Sequence, residues 1–390
     1  MNINCLSQLK QLENQNNITQ LKKLGVQSCS LFADFLANFK SLKELVLDFK
    51  SNNLDEEGVE ILGQAISQCK NITSLNIDLH QFIIKLYFQY WITFKELLGH
   101  KNNKSQFIVR DMESSNLGLE ISSIKQLTNL ILNLSGNKIG HQGISQMTTE
   151  LSKCSLLNTL YLQLLSNKIG DQGVIKLAKN LAKFPCLSSI YLDLRWNNIT
   201  DQGSVALGQD LANCKNLQII NLELRWNDIG DKGFSMLGQG CVKCQFLINL
   251  SLDLSSNKIG YLSNSSITFD LAECQNLKQL NLNLSVNKIG DQAISVLCKG
   301  IAQCIGLQKL ILDLSTNNIE NLGAQYLGQE LLNCQSLNFL TIYLQWNNII
   351  DAGAYVLIEK ILQNQKIKHL ALDLKGLKVI KILHLKSGQD

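Results

Sequence analysis

Three sets of residues have types and spacings that could support chemistry. Cys241 and Cys244 have the spacing of a metal site, but no second pair of ligands lies at the usual distance. The Gly-Gln-Gly run at 238–240 lacks the further spacing and the strand-to-helix context of a dinucleotide site. The histidines form no recurring acid–base or nucleophile arrangement: they are His80, His100, His141, His369 and His384. We therefore predict no catalytic residue, no metal site and no cofactor.

An acidic row is a fourth candidate for chemistry. Its members share one position of a repeated frame, where paired carboxylates could in principle perform acid–base work. A periodic row is explained more simply as a solvated stripe that discourages aggregation, and we favour that interpretation. The row consists of Asp48, Asp78, Asp193, Glu223, Asp253, Asp313 and Asp373.

The frame that positions these residues repeats every thirty residues. A fixed period of this kind predicts a solenoid, in which each unit buries its apolar edge only against its neighbours. The asparagine of the frame carries amide donors and an acceptor, so we expect it to bond the turn backbone of adjacent units. Its copies are Asn137, Asn167, Asn197, Asn227, Asn257, Asn287, Asn317 and Asn347.

Each unit is predicted to contain a strand, a turn and a helix, in that order. The strict alternation of residues 250–254 predicts a strand with one buried face. The run Gly170-Asp171-Gln172-Gly173 predicts a helix start, with the aspartate as its N-cap. Apolar residues then follow at helical spacing. A constant strand-then-helix order requires a parallel sheet with all helices on one side.

The unit pattern LxLxLxxNxIGDxGxxxLxxxLxxC resembles the ribonuclease-inhibitor class of leucine-rich repeats, over about residues 41–79 and 129–374. The resemblance implies an α/β solenoid shaped like a horseshoe, with the parallel sheet on its concave face and the helices on its convex face. Helices occupy roughly 10 Å and strands about 4.8 Å in the stacking direction, so the array must curve with the sheet inside. The usual family core is LxxLxLxxN. The alternation here begins earlier, which predicts a slightly longer strand.

The regular frame fails between residues 80 and 128, where six aromatic side chains fall within 82–94. This segment could be an insertion that binds something, a degenerate repeat that packs, or mistranslated sequence. We favour packing, because aromatic clusters usually form core. The predicted organisation is an N-terminal helical cap (1–40), a first repeat region (41–79), the irregular segment (80–128), regular repeats (129–374) and a C-terminal cover (375–390).

Charge and cysteine usage narrow the expected partners and compartment. The net charge is +4, from 36 basic and 32 acidic residues without a dense basic run, so nucleic acid is not expected. The first residues show no secretory signal, and residues 82–98 are too short and too often interrupted by charge to span a membrane.

Seven cysteines recur at one frame position and predict small buried residues: Cys69, Cys154, Cys214, Cys244, Cys274, Cys304 and Cys334. Buried thiols of this kind favour a reducing compartment. We therefore expect a cytoplasmic protein, and we expect it to be a monomer.

The outward strand positions vary while the frame stays fixed, as is usual in repeat proteins that bind partners. Arginine and tryptophan side by side are typical of interface hot spots. Alternatively, each tryptophan covers the corner between strand and turn, with an arginine stacked on it. The candidate partner-binding residues are Tyr161, Tyr191, Asp193, Arg195, Trp196, Glu223, Arg225 and Trp226, with a smaller patch at Tyr343 and Trp346.

The leading hypothesis is a non-enzymatic scaffold that binds a protein partner across the curved sheet. Ran GTPase-activating proteins use the same repeat class, so a GTPase activator is an alternative. Those proteins typically carry an acidic C-terminal region, whereas this sequence ends in KGLKVIKILHLKSGQD. A third hypothesis is a regulatory or sensor segment associated with a kinase or receptor, because such repeats often accompany other modules.

Overall fold

The computed structural model describes residues 2–3, 20–24, 42–49, 56–80, 109–261, 267, 269 and 271–375. Within them the chain forms one sheet of thirteen parallel strands, whose spatial order is their order in the sequence. This topology is the stacked array that the thirty-residue period predicts. The strands are β1 (Asn2–Ile3), β2 (Gln20–Leu24), β3 (Glu44–Asp48), β4 (Ser74–Asp78), β5 (Asn129–Asn133), β6 (Thr159–Gln163), β7 (Ser189–Asp193), β8 (Ile219–Glu223), β9 (Asn249–Asp253), β10 (Gln279–Asn283), β11 (Lys309–Asp313), β12 (Phe339–Tyr343) and β13 (His369–Asp373).

Nine helices fall within the described ranges, and each follows a strand of its own unit. Helices of adjacent units contact one another from α1 to α6 and again from α7 to α9, so they form a second layer beside the sheet. They are α1 (Glu56–Gln68), α2 (Asp111–Ser122), α3 (His141–Leu151), α4 (Gly170–Leu181), α5 (Asp201–Leu211), α6 (Asp231–Val242), α7 (Asp291–Ala302), α8 (Asn321–Leu332) and α9 (Asp351–Gln363). None of these helices has both the length and the apolar character needed to cross a bilayer.

The core lies between the sheet and the helices. Equivalent residues of adjacent strands stand side by side, as Leu250 does beside Leu280 and Leu252 beside Leu282. The second and fourth residues of each strand from β3 to β12 are buried, which confirms the predicted alternation. Each fully buried leucine contributes about 2 kcal/mol, so the repeated pair is the main source of stability. The other strand residues face away from the helices, onto the surface that we call the sheet face.

The repeated asparagines form a buried ladder along the turns. Asn257 donates from Nδ2 to the carbonyl oxygens of Leu254, in its own unit, and Leu224, in the preceding unit, at 3.0 Å each. Its Oδ1 accepts the backbone amide of Ile229 at 3.0 Å. Other copies repeat this arrangement. The predicted structural role of the asparagine is therefore confirmed.

The aspartates at the helix starts form a second ladder, and here the predicted N-cap role is wrong. Asp171 is the second residue of α4, and its Oδ1 accepts the amides of Thr200 (2.8 Å) and Gly203 (3.0 Å) in the next unit. Asp201 bonds Gly230 and Gly233 in the same way. The carboxylate therefore caps the helix of the next unit. It points along the stack toward the free backbone amides at the start of that helix, and not toward those of its own helix.

The glycine of the Gly-Asp-x-Gly motif makes this second ladder possible. A Cβ on Gly203 would come within 2.6 Å of the Asp171 carboxylate, and one on Gly233 within 2.6 Å of the Asp201 carboxylate. Ala293 fills the equivalent position in the unit of β10, and the preceding unit has Tyr261 where the aspartate would stand. At Gly203 and Gly233, the close approach of the carboxylate therefore requires glycine.

Two units depart from the regular arrangement. Strand β4 pairs directly with β5 although fifty residues separate them, and α2 supplies the helix between them. The aromatic residues 82–94 lie outside the described residues. In the unit after β9, the described residues 255–261, 267, 269 and 271–278 form no helix, and the other residues of the predicted helix lie outside the described residues. There Tyr261 replaces the aspartate, and the residues that follow it, LSNSS, favour helix poorly.

The predicted end covers are described only in part. Strands β1 and β2 continue the sheet into residues 1–40. The apolar pattern on which the helical cap was predicted, residues 31–39, lies outside the described residues. At the other end, only Lys375 of the predicted cover 375–390 is described.

Candidate functional site

Eight of the predicted partner-binding residues come together on the sheet face. They belong to β6, β7 and β8 and to the turns that follow β7 and β8, so three consecutive units supply them. We call this surface the aromatic patch; it consists of Tyr161, Tyr191, Asp193, Arg195, Trp196, Glu223, Arg225 and Trp226.

A tyrosine pair forms the strand side of the aromatic patch. Tyr161 and Tyr191 are register partners at the centre of β6 and β7. Their rings stack in parallel, with centroids 3.8 Å apart and planes inclined by 1°. Burial raises the pKa of Tyr191, and a hydrogen bond to Tyr161 and the charge of Glu223 raise it further. The pair therefore forms a flat surface on which the Tyr191 hydroxyl stays protonated at neutral pH.

A tryptophan pair forms the turn side of the aromatic patch. Trp196 and Trp226 immediately precede the ladder asparagines of their units, and their ring centroids lie 5.0 Å apart. The side chains remain 47% and 38% exposed. This stacking is the geometry that the covering interpretation predicts, while the exposure leaves a wide apolar surface for contact.

The tryptophans lie on left-handed backbone, with φ of 58° at Trp196 and 59° at Trp226. This conformation costs roughly 1–2 kcal/mol for a residue with a side chain. The turn imposes it, because each backbone amide donates to the next unit, to the carbonyls of Arg225 and Ser255 at 3.2 Å. Other units hold the same slot with Gly136, Ser166, Ser256, Val286, Thr316 and Trp346. These residues share no property, so the fold itself does not require tryptophan.

The acidic residue of β7 is fully paired. Asp193 accepts Nε of Arg195 at 2.8 Å on one oxygen and Nη2 at 2.6 Å on the other. Asp193 is only 1% exposed, so the guanidinium covers it. The hydrogen bond and charge of Asp193 raise the pKa of Arg195 despite its partial burial. The interpretation of the acidic row as a solvated stripe is wrong at this position.

Other members of the acidic row bond their own chain. Asp253 accepts the amide of Ser255 at 2.9 Å and its hydroxyl at 2.6 Å. Asp313 receives the same two groups from Ser315. These carboxylates end the strand by satisfying the first turn residues, as aspartate commonly does. Their recurrence thus has a structural cause that the spacing alone did not reveal.

The acidic residue of β8 behaves differently from its neighbours. Within the described chain, no hydrogen bond or ion pair reaches the Glu223 carboxylate. Burial and the neighbouring Asp253 raise the pKa of Glu223, against the opposing effect of the nearby arginines. Arg225 instead lies over the Trp226 ring, with Cζ 5.5 Å from the centroid. The unit of β8 therefore leaves its acid and its base unpaired.

Buried polar atoms without a hydrogen-bond partner lie in the same unit as Glu223 and Arg225 and in the next one. Four buried side-chain atoms of the described residues have no hydrogen-bond partner, and all belong to the units of β8 and β9. Native structures rarely leave such atoms unpaired without a reason. No signal in the sequence marks Asn221, Asn249 or Ser256, so sequence reasoning missed them. The atoms are Oδ1 of Asn221, Nε of Arg225, Oδ1 of Asn249 and Oγ of Ser256.

The two remaining predicted residues lie elsewhere on the sheet face. Tyr343 ends β12 and Trp346 fills the left-handed slot of that unit, with φ of 61°. Trp346 is 71% exposed. The unit of β12 is four units from that of β8, so the structure does not join these residues to the aromatic patch.

The described residues contain no group of three or more His, Cys, Asp and Glu side chains that could hold a metal ion. Cys241 and Cys244 are buried, and the Cys244 thiol donates to the carbonyl of Leu211 at 3.4 Å. Burial raises the pKa of Cys244 to about 12, which keeps it a protonated thiol at neutral pH. The seven frame cysteines are all buried, which confirms their predicted location in the core.

Comparison with known proteins supports the class of architecture. A family model described as Leucine Rich repeat matches residues 158–178, 190–208, 213–238 and 309–328. Three of these segments include the units of the aromatic patch. No curated protein sequence matches the chain. The matched segments, together with one parallel strand per unit, identify the architecture as a leucine-rich-repeat solenoid.

Similar solved structures include three repeat proteins of different origin. An internalin from Listeria monocytogenes is 18% identical, with a TM-score of 0.42, over 93% of this chain and 88% of that one. TLR13, solved as a complex with ssRNA13, is 17% identical (TM-score 0.43; 94% and 39% covered). Rad7, from a complex with Elc1 in yeast, is 14% identical (TM-score 0.43; 96% and 80% covered). This chain spans less than half of TLR13.

Proposed function

We propose that this protein is a non-enzymatic scaffold of the ribonuclease-inhibitor class of leucine-rich repeats, which binds a protein partner at the aromatic patch. The class assignment is supported by helices of eleven to thirteen residues in the regular units. The binding role rests on the exposed tryptophan pair, held on left-handed backbone at a slot that other units fill with unrelated residues.

The tryptophan pair supports a binding role because its left-handed backbone costs free energy while its exposed side chains stabilise the fold little. Asn197 and Asn227 of the ladder are buried and support the turn, whereas Trp196 and Trp226 beside them remain 47% and 38% exposed. Two stacked indoles and a stacked tyrosine pair offer large area with few rotatable bonds, and an arginine lies beside them. Aromatic and arginine side chains of this kind dominate binding energy at protein interfaces.

We further propose that the protein works as a monomer in the cytoplasm. The buried frame cysteines support a reducing compartment, because their thiols fill core positions and donate weak hydrogen bonds to backbone carbonyls. Size-exclusion chromatography with light scattering tests the monomer: a single species near 43.6 kDa is expected.

Partner capture with a matched pair of variants tests the proposed site. The test variant carries Trp196→Gly and Trp226→Gly, which remove the indoles and suit the left-handed backbone. The control carries Val286→Gly and Thr316→Gly at the same slot of two other units. Quantitative mass spectrometry of captured proteins should show a partner retained by wild type and control and reduced at least about tenfold by the test variant. Equal capture by both variants would contradict the proposed site.

A further inference from the structure

The chemistry of the partner follows from a difference between two adjacent units. In the unit of β7, the strand-ending acid is Asp193, and Arg195 two residues later closes a two-pronged ion pair with it. The unit of β8 has the same order, Glu223 and then Arg225, but no such pair forms. Glutamate is one methylene longer than aspartate, and Arg225 lies on the Trp226 ring instead.

The cluster around the open carboxylate has one more acid than base, because Asp193, Glu223 and Asp253 meet Arg195 and Arg225. Glu223 is the register partner of Asp193 on one side and Asp253 on the other. Arg195, the cation with the larger effect on Glu223, is already engaged by Asp193, and Asp253 bonds Ser255 without a cation. The charged groups that face Glu223 are thus Asp193 and Arg195 from β7 and its turn, Asp253 from β9, and Arg225 from its own unit.

We infer that the partner places a lysine or arginine side chain on the Glu223 carboxylate, beside the tryptophan pair. This inference rests on the proposed function and adds the charge of the occupant. In the unit of β7, Arg195 forms an ion pair with the strand-ending acid. In the unit of β8, the partner's cation forms the equivalent ion pair with Glu223. Its alkyl stem lies against the aromatic rings while its charged end meets the carboxylate. Charge complementarity of this kind sets specificity at interfaces.

A selection from random peptides tests the charge of the occupant without knowledge of the natural partner. Peptides that bind the immobilised protein are selected from a phage-displayed library of linear peptides. A clone is counted only if it does not bind the variant with Trp196→Gly and Trp226→Gly. We expect lysine and arginine to be enriched among these clones. Selected peptides should lose about tenfold in affinity for Glu223→Gln. The matched control is Glu359→Gln, which removes the same charge from exposed α9 and should change affinity little.

The pH dependence of wild-type binding gives a second measurement that needs no variant. Protonation of Glu223 removes the attraction, so binding of a selected peptide should weaken as the pH falls through the pKa of Glu223. Burial and Asp253 raise that pKa above its ordinary value of 4.5, so the loss begins at a higher pH than for an exposed glutamate. Glu223→Gln should abolish this dependence, and its thermal unfolding should match that of wild type.

The outcomes separate this inference from the proposed function. Tryptophan-dependent peptides that are acidic or neutral, or that bind Glu223→Gln as well as wild type, overturn the inference and leave the proposed function standing. Failure to obtain any tryptophan-dependent binder, by peptide selection or by partner capture, overturns both. Basic peptides that depend on both Glu223 and the tryptophans support both.

Discussion

The asparagine ladder and the aromatic patch are built by the same thirty-residue unit, but their polar atoms are used in opposite ways. In the ladder, the Asn257 side chain donates to three carbonyls and accepts one backbone amide, and all of these groups are buried. In the aromatic patch, Glu223 has no partner and Nε of Arg225 is buried without one. The comparison teaches that stability and contact are assigned to different positions of one unit.

The separation predicts that substitutions in the ladder and in the aromatic patch affect different measurements. Ladder positions and the closed Asp193–Arg195 pair should change the free energy of unfolding, whereas the tryptophan pair and Glu223 should change binding. The variants that follow test this division, in order of the expected effect on the free energy of unfolding.

Asn257→Ala should destabilise the protein by about 3 kcal/mol or more. It strands two carbonyl groups and one amide in the buried turn, at about 1–3 kcal/mol each before water enters. Urea unfolding monitored by circular dichroism measures the loss. Asn281→Ala is the control, because that side chain is exposed on the sheet face and bonds only Ser251 Oγ. Similar effects of the two substitutions would break the comparison.

Arg195→Ala should lower stability by about 2–3 kcal/mol, because it leaves the buried Asp193 carboxylate without its cation. A second change, Asp193→Asn, should recover part of the loss. Arg225→Ala should cost less than about 1 kcal/mol, since Arg225 makes no ion pair and only covers the Trp226 ring. Equal losses of stability for the two arginines would show that Arg225 stabilises the fold as much as Arg195 does.

Asp201→Ala should lower stability by about 2 kcal/mol, because it removes two charge-assisted hydrogen bonds to the next helix start, at Gly230 and Gly233. Asp351→Ala is the matched control. Asp351 starts α9, is exposed, and makes no hydrogen bond to the next unit within the described residues. Its loss should stay near 0.5 kcal/mol, from the helix dipole alone. The denaturant midpoints of the two variants measure these losses, and equal losses would contradict the capping role of Asp201.

Val286→Gly should raise stability slightly, by about 0.5–1 kcal/mol. Its φ of 57° is unfavourable for a β-branched residue and suits glycine, and the side chain is 46% exposed. The same change at Val296, exposed within α7, should lower stability by about 0.5 kcal/mol because glycine is a poor helix residue. Differential scanning calorimetry distinguishes the two signs, and a loss at both positions would refute the claim of backbone strain.

The repeat fold could be predicted from the sequence because period and polarity determine it. The spacing of the asparagines and the alternation of residues 250–254 predicted the stacked parallel strands and the ladder. The role of Asp171 was mistaken, because single-unit reasoning assigns a cap to its own helix while the carboxylate reaches the next one. The described residues after β9 form no helix, and Tyr261 stands there in place of the helix-start aspartate, a local departure that the strong period concealed.

The aromatic patch was predicted as a set of residues, but not in its internal pairing. The spacing places Tyr161 beside Tyr191 and Trp196 beside Trp226, and the structure brings them together. Arg195 bonds the acid of its unit while Arg225 covers a ring, and the period gives both units the same order of acid and arginine. For the same reason, the sequence could not reveal the unpartnered atoms around β8 and β9.

The free energy of unfolding of the variant with Trp196→Gly and Trp226→Gly tests the central claim most directly. If the aromatic patch exists for contact, urea unfolding should give a value within about 0.5 kcal/mol of wild type, or above it, since glycine relieves the left-handed backbone. A loss of more than about 2 kcal/mol would contradict the claim and show that the indoles cover the strand–turn corner as part of the fold.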